Sequence, residues 1–291
     1  MKQTAYQKNK ESKSFRCWEF CRDLSEDALI ALLDDSDAAI SQTAAQFLQL
    51  KGGSTVIKLA QSDCANANYK RRALGAFILG QIKLSAFEEK KIVVLLHDLA
   101  LYDKSANVRS NAVSSLAHRC VKSNKQATLL LELSTQTVLD SSSSVRQSTA
   151  FVLSTFYHES SIPLLLKLLN DRRGNVRDWA AFAVNMNEYN TPQLKDCFAT
   201  LLNDSLSAVR YEAIIGLARM QDKRVTQTLI GELSKDEIYD ELVKAAGDLG
   251  DTALLPTLQA IMDKFEPFDE LNRAITLLKK VKGKQGGEKT N

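Results

Sequence analysis

An aspartate, a Val-Arg pair at the fifth and sixth positions after it, then a small residue and an apolar one on the same stripe: this frame occurs four times in the chain. The copies are Asp103…Val108-Arg109…Ala112…Leu116, Asp140…Val145-Arg146…Thr149…Leu153, Asp171…Val176-Arg177…Ala180…Val184 and Asp204…Val209-Arg210…Ala213…Leu217. Their arginines lie 37, 31 and 33 residues apart. A frame returning at this period marks one helix-pair unit stacked on copies of itself, because a single unit cannot bury its own apolar face. The feature constrains architecture and weighs against an enzyme, but it names no ligand.

Composition agrees with a helical stack. The 291 residues include only 12 Gly and 4 Pro, and 7% are aromatic, which suits short helices better than turn-rich sheets. From Ser25 onward, Leu-rich stretches such as Ile162-Pro163-Leu164-Leu165-Leu166 alternate with the Val-Arg stretches. Thr191-Pro192 reads as a helix start, a hydroxyl cap followed by Pro at the first helical position. Asp35…Ile40-Ser41…Ala44…Leu48 keeps the frame without its arginine, and Tyr69-Lys70…Ala73…Phe77 keeps a cation. The helix holding Ala245 and Leu249 has Glu241-Leu242 where Val-Arg would stand. Residues 1–24 read as a basic tail and a capping helix bearing Phe15, Cys17, Trp18 and Cys21. Residues 25–282 read as the repeats, and 283–291 as a basic disordered tail.

The shared frame, with endings such as Leu249-Gly250-Asp251-Thr252-Ala253-Leu254-Leu255-Pro256, resembles HEAT repeats over roughly residues 25–265. The likeness is to the short bacterial subtype named after phycobilisome lyases. It implies an all-α fold, a right-handed α-α superhelix (α-solenoid) of about eight HEAT-like helix pairs. It also implies that the Val-Arg helices line the concave side and that Asp and Arg form a structural ladder between repeats. The ladder residues would be Asp103, Arg109, Asp140, Arg146, Asp171, Arg177, Asp204 and Arg210. The resemblance carries no activity to this chain.

No catalytic constellation competes with that reading. The three histidines, His97, His118 and His158, fall in different repeats, and no phosphate-cradling glycine motif is present. Five scattered cysteines, an odd number, read as buried free thiols rather than metal ligands. Neither a metal nor a cofactor is expected. Residues 1–22 and 279–291 each carry +4, so the net charge of +3 leaves the middle acidic at −5. Nucleic acid is therefore a disfavoured partner, since phosphate contacts need cations on the repeats themselves. The start lacks an apolar signal region and no run is long enough to span a membrane, so a cytoplasmic monomer is expected.

At ~100° per residue, Asp178, Phe182 and Asn185 project away from the Val176 packing face. The matching positions are Tyr211 and Ile215 in the next repeat and Phe151 in the previous one. These six residues form the candidate partner-binding strip on the concave face, expected to take a protein or peptide. The competing possibility is that curvature buries the aromatics; Trp179 sits near the packing edge. The expected function is a non-enzymatic protein-binding scaffold or adaptor. One alternative is an immunity-type protein that neutralises a toxin. Another is a DNA-binding HEAT-like alkylpurine glycosylase, for which Asp178 and Trp179 would serve but the acidic middle would not.

Overall fold

A computed structural model describes residues 12–120, 124–266 and 268–287. Those residues form an all-α solenoid of helix pairs with no strand among them. A capping helix, α1 (Lys13–Cys21), precedes eight pairs. The first four are α2 (Glu26–Ala31) with α3 (Ala38–Lys51), α4 (Ser54–Asp63) with α5 (Tyr69–Gln81), α6 (Ala86–Tyr102) with α7 (Ala106–Cys120), and α8 (Asn124–Thr137) with α9 (Ser143–Ser154). The last four are α10 (Ile162–Leu169) with α11 (Gly174–Met186), α12 (Pro192–Leu201) with α13 (Ser207–Arg219), α14 (Thr226–Leu233) with α15 (Asp240–Leu249), and α16 (Leu255–Lys264) with α17 (Asp269–Gly287). The last helix, α17, continues to Gly287, past residue 282 where the repeats are expected to end. The tail positions 1–11 and 288–291 lie outside the described residues. None of the described helices is long and apolar enough to cross a membrane.

The chain divides into two compact units, Met1–Phe156 and Tyr157–Asn291. Within the first, α1 packs on α3, and the second helices stack in the order α3, α5, α7, α9. Within the second, α11, α13, α15 and α17 stack in the same way. Within each unit the first helix of a pair packs on its own second helix.

One turn chemistry starts six of the second helices. Asp35, Asn66, Asp103, Asp140, Asp171 and Asp204 each accept, through Oδ1, the backbone N–H two residues on, at 2.8–2.9 Å. The helix begins three residues after each of them. This Asx turn fixes the angle between paired helices and satisfies a donor that the helix start would otherwise orphan. The Thr191 hydroxyl caps Leu194 N–H at 3.3 Å, and α12 starts at Pro192.

These turns correct the register in the second repeat. Asn66 stands at the aspartate place, so the arginine place belongs to Arg72 rather than Lys70, and the small-residue place belongs to Gly75 rather than Ala73. Lys70 misled because a run of three cations, Lys70-Arg71-Arg72, leaves the frame ambiguous. Arg71 then occupies the buried place held by Val in other repeats. It is stabilised by Asp63, whose Oδ1 lies 3.0 Å from its Nε, both side chains being almost wholly buried. Burial outweighs Arg71 and raises the Asp63 carboxyl above its usual range.

Valines, leucines and small residues fill the core: Val108, Ala112 and Leu116 in α7 and Val176, Ala180 and Val184 in α11 are all fully buried. Gly75 shows why the small place matters, since a Cβ there would sit 2.7 Å from the Ala60 carbonyl and 3.0 Å from Cys64 N. Four cysteines, Cys17, Cys21, Cys64 and Cys120, are buried and Cys197 is half-buried; all are free thiols. Burial pushes the Cys64 thiol up to about 12.

Gly75→Ala is expected to destabilise the first unit by about 1–3 kcal/mol, because backbone rather than a pliable side chain must move. Gly231→Ala in α14, where the added Cβ meets open space, is expected to stabilise by about 0.5–1 kcal/mol through helix propensity. Urea unfolding of the two variants checks both signs.

Candidate functional site

The arginines of the frame are held by a repeated fork. Arg72 Nε and Nη2 grip Asp103 at 2.7 and 3.0 Å, Arg109 grips Asp140 at 2.7 and 2.8 Å, and Arg177 grips Asp204 at 2.6 and 2.7 Å. The acid in each case opens the following repeat. The remaining nitrogen, Nη1, donates to the carbonyl of the aspartate or asparagine in the arginine's own repeat: Asn66, Asp103 and Asp171, at 2.7–2.9 Å. Arg146 does the same to Asp140 at 2.8 Å. Each fork thus ties two successive Asx turns together, with geometry that only a planar guanidinium supplies.

The carboxylates respond. Arg177 holds Asp204 below the usual carboxylate range, against the opposing effect of burial. At Asp103 and Asp140 burial pushes the other way, but the Arg72 and Arg109 forks and the turn N–H groups together still lower both.

Among the described residues the rung is missing after the first repeat and after Arg210, for different reasons. In the first repeat the arginine place is Ser41, and its acid place in the second repeat is Asn66, so the cation and the anion are both absent. In the second unit Arg210 keeps its own-repeat bonds, Nη1 to the Asp204 and Ser205 carbonyls at 2.7 and 3.2 Å. Its Nε and Nη2 have no partner among the described residues. The expectation that Arg210 is a ladder residue like the others is corrected here: it terminates the ladder.

The cause lies in one residue of chain. The next repeat does carry an aspartate, Asp236, but α15 begins four residues after it rather than three. The turn does not form. Asp236 instead swings out, 98% exposed, to Lys264 at 2.9 Å. Where the rung would have been, a cleft of about 760 Å³ opens, lined by Asp178, Arg210, Tyr211, Glu212, Tyr239 and Glu241 among others.

Its walls are amphipathic and acidic. Tyr211 meets Tyr239 edge to face at 6.0 Å and donates its hydroxyl to Glu241 at 3.2 Å. Glu212 accepts from Asn185 Nδ2 at 2.7 Å. Burial raises the Asp178 carboxyl, for which no counter-cation is present among the described residues. Burial raises Glu212 too, aided by the Asp178 charge. Glu232 and Glu237 complete the rim, with Lys235 bound to Glu232 at 2.5 Å.

Of the six residues expected in one strip, Asp178 and Tyr211 line this cleft. Asn185 supports it from behind, holding Glu212 by side chain and by the backbone carbonyl at 2.9 Å. Phe182 is half-buried against Trp179, ring centroids 5.5 Å apart and edge to face. Ile215 is half-buried and does not line the cleft. Phe151 belongs to the first unit, half-buried against that unit's core with the His118 ring at 5.3 Å. Of the two outcomes held open for the strip, partial cover by helix neighbours is the one seen at Phe151, Phe182 and Ile215. Arg210, Glu212, Tyr239 and Glu241 also line the cleft and were not among the six expected residues. The four-residue spacing from Asp236 to the α15 start was the signal that would have found them.

No family model matches the chain. A full-length relative does: Protein YibA of Escherichia coli strain K12 is 44% identical over 275 residues, which span 94% of this chain and 98% of that protein. The chain belongs to the YibA family. The X-ray structure of the Escherichia coli YibA protein superimposes with a TM-score of 0.82 and 42% identity, over 96% of this YibA-family chain and 99% of the other. More distant structures share the helical-repeat fold alone. An engineered protein matches with a TM-score of 0.56 and 16% identity, over 94% of this chain and 87% of that one. A chain from a structure of Kap95p with RanGDP matches with a TM-score of 0.54 and 13% identity, over 95% of this chain and 42% of that one. The fold is HEAT-like.

Arg177→Ala is expected to cost about 2–3 kcal/mol, since it strands Asp204 without its charge-assisted bonds. Arg210→Ala should cost clearly less, because no acid loses a partner. Thermal or urea unfolding of the two variants separates them.

The pH dependence follows from the signs. Asp103, Asp140 and Asp204 have folded pKa values lowered from the unfolded ones. Their stabilisation is complete above about pH 4 and is lost as pH falls through the folded values. Asp178 and Glu212 are raised, so their penalty is absent below about pH 4 and develops as pH rises through the folded values. Asp178→Asn is therefore expected to be more stable than wild type at pH 7 and equal to it near pH 3.5. An unchanged difference at the two pH values counts against an uncompensated charge at Asp178.

Proposed function

We propose that this protein is a non-enzymatic binding scaffold, and that its docking site is the cleft where the ladder ends in the second unit. The observation that carries this reading is a set of half-buried charges without counter-ions, Asp178 foremost, in an open, tyrosine-walled cleft. Folding gains nothing from leaving Asp178 half-buried and uncompensated, whereas a partner that neutralises it does. Five carboxylates against two cations select a protein or peptide segment that brings a lysine or arginine side chain to Asp178 and Glu212. The two tyrosines supply rigid apolar area beside it, a composition typical of binding hot spots. The same charge balance weighs against a nucleic acid, whose phosphates would face the carboxylates. Assignment to the short phycobilisome-lyase-like subtype, a cytoplasmic location and a monomeric state belong to this reading, the first supported by the Val-Arg frame.

Cross-linking through Lys235 on the cleft rim, followed by mass spectrometry on complexes from the native cells, tests the proposal. A protein partner cross-linked at Lys235, and reduced at least about tenfold by Tyr239→Ala, equivalent to ~1.4 kcal/mol, is the expected result. The reading fails if the partner survives that substitution unchanged, or if the protein instead binds duplex DNA in a salt-dependent way or releases a modified base.

A further inference from the structure

The open edge of Arg210 has a defined chemical preference, and the chain itself shows what it is. Arg72, Arg109 and Arg177 all hold Nη1 on the carbonyl at the start of their own repeat, which turns Nε and Nη2 toward the next repeat. In all three that edge closes on an aspartate that also accepts a backbone N–H within an Asx turn. Arg210 has its Nη1 fixed in the same way by Asp204 and Ser205. Its Nε and Nη2 edge is therefore pre-oriented, half-buried and unoccupied by protein, and it lines the cleft.

Two comparisons within the chain argue against a rung that has merely decayed. Where the rung between Ser41 and Asn66 is lost, no cation is left behind. At Arg210 the cation stays, and the acid that would have met it is displaced by one inserted residue. The neighbouring carboxylates do not take its place: neither Glu237 nor Glu241 comes within ion-pair distance of it. A guanidinium edge held this way prefers a planar carboxylate gripped by two parallel hydrogen bonds, and lysine cannot reproduce that geometry.

We infer that Arg210 is a carboxylate-recognising fork, which takes from a partner segment an aspartate set in an Asx turn at a helix start, in place of the missing rung. This rests on the reading of the cleft as the docking site and specifies it: the partner presents a carboxylate to Arg210 and, beside it, a cationic side chain to Asp178 and Glu212. The bound segment would extend the arginine ladder by one rung supplied in trans.

The chain's own capping segment is the probe. A peptide of residues 203–213, acetylated and amidated, carries Asp204 in the setting that the Arg177 fork accepts. It is titrated into the full-length protein while the arginine Nε–H resonances are followed by NMR. The Arg210 signal is expected to shift and saturate, the Arg177 signal to stay put, and the Asp204→Asn form of the peptide to bind at least about tenfold more weakly. Arg210→Lys, which keeps the charge and removes the fork, is expected to weaken the aspartate peptide by a similar factor. Equal binding of the aspartate and asparagine peptides, no saturable shift at Arg210, or full binding by Arg210→Lys overturns the inference. The peptide pair needs no protein variant, so a folding defect in Arg210→Lys does not cloud the result. The cleft as a docking site is judged separately by the cross-links at Lys235, so the two can fail independently.

Discussion

The bidentate arginine–aspartate rung is the interaction on which the stack is organised. A helix-pair repeat has two problems that packing alone does not solve: the start of each second helix leaves backbone donors exposed, and successive repeats can slide over apolar surfaces. The Asx turn answers the first and the arginine fork answers the second, using the same carboxylate. Arg177 bonds to the Asp204 side chain with one edge and to the Asp171 carbonyl with the remaining nitrogen. One side chain therefore sets the distance between two turns, and the buried valines and alanines behind it fall into register.

A spine of this kind makes departures from it informative. Hydrophobic packing tolerates exchange, so a changed leucine says little. A charge left without its counterpart in a half-buried place has an energetic cost that folding does not offset. Arg71 in a valine place is matched at once by Asp63. Ser41 and Asn66 are matched by both being neutral. Among the described residues Arg210, Asp178 and Glu212 find no opposite charge: Arg210 keeps only backbone carbonyls and Glu212 only Asn185 and no cation. They gather around one cleft, and that conjunction places the functional argument there.

Much of the architecture was legible because its signals are local and repeated. The Asp-to-Val-Arg spacing is a property of one turn and one helix start, and it recurs often enough to be read without neighbours. Eight helix pairs and the alternation of Leu-rich and Val-Arg helices follow from it, while the start at Pro192 has its own Thr-Pro cap signal. The second repeat was misaligned by two residues because three successive cations offered more than one candidate, and only the Asn66 turn identifies Arg72. The candidate site was legible in part. Angular projection picked out Asp178 and Tyr211, which line the cleft. It gave Phe151, Phe182 and Ile215 the same exposure because a single-helix projection ignores what adjacent helices cover. Tyr239 and Glu241 come from the loop and start of a later helix, and no helical period connects them to Tyr211. Only the misplaced turn after Asp236 brings them together.

The spacing of the rungs also says where the chain has been free to change length. The distance from each aspartate or asparagine to its helix start is three residues in six repeats. The arginine-to-arginine distance varies, from 31 for Arg146 to Arg177 up to 37 for Arg72 to Arg109, and the first helix ranges from six residues in α2 to 17 in α6. The length of chain is thus fixed at the Asx turns and variable in the first helices. For protein engineering this defines a grafting map: foreign loops and labels belong at the N-terminal starts of first helices such as α6, away from the inner aspartate that follows each of them. A single residue inserted next to an inner aspartate would be expected to open a cavity of its own.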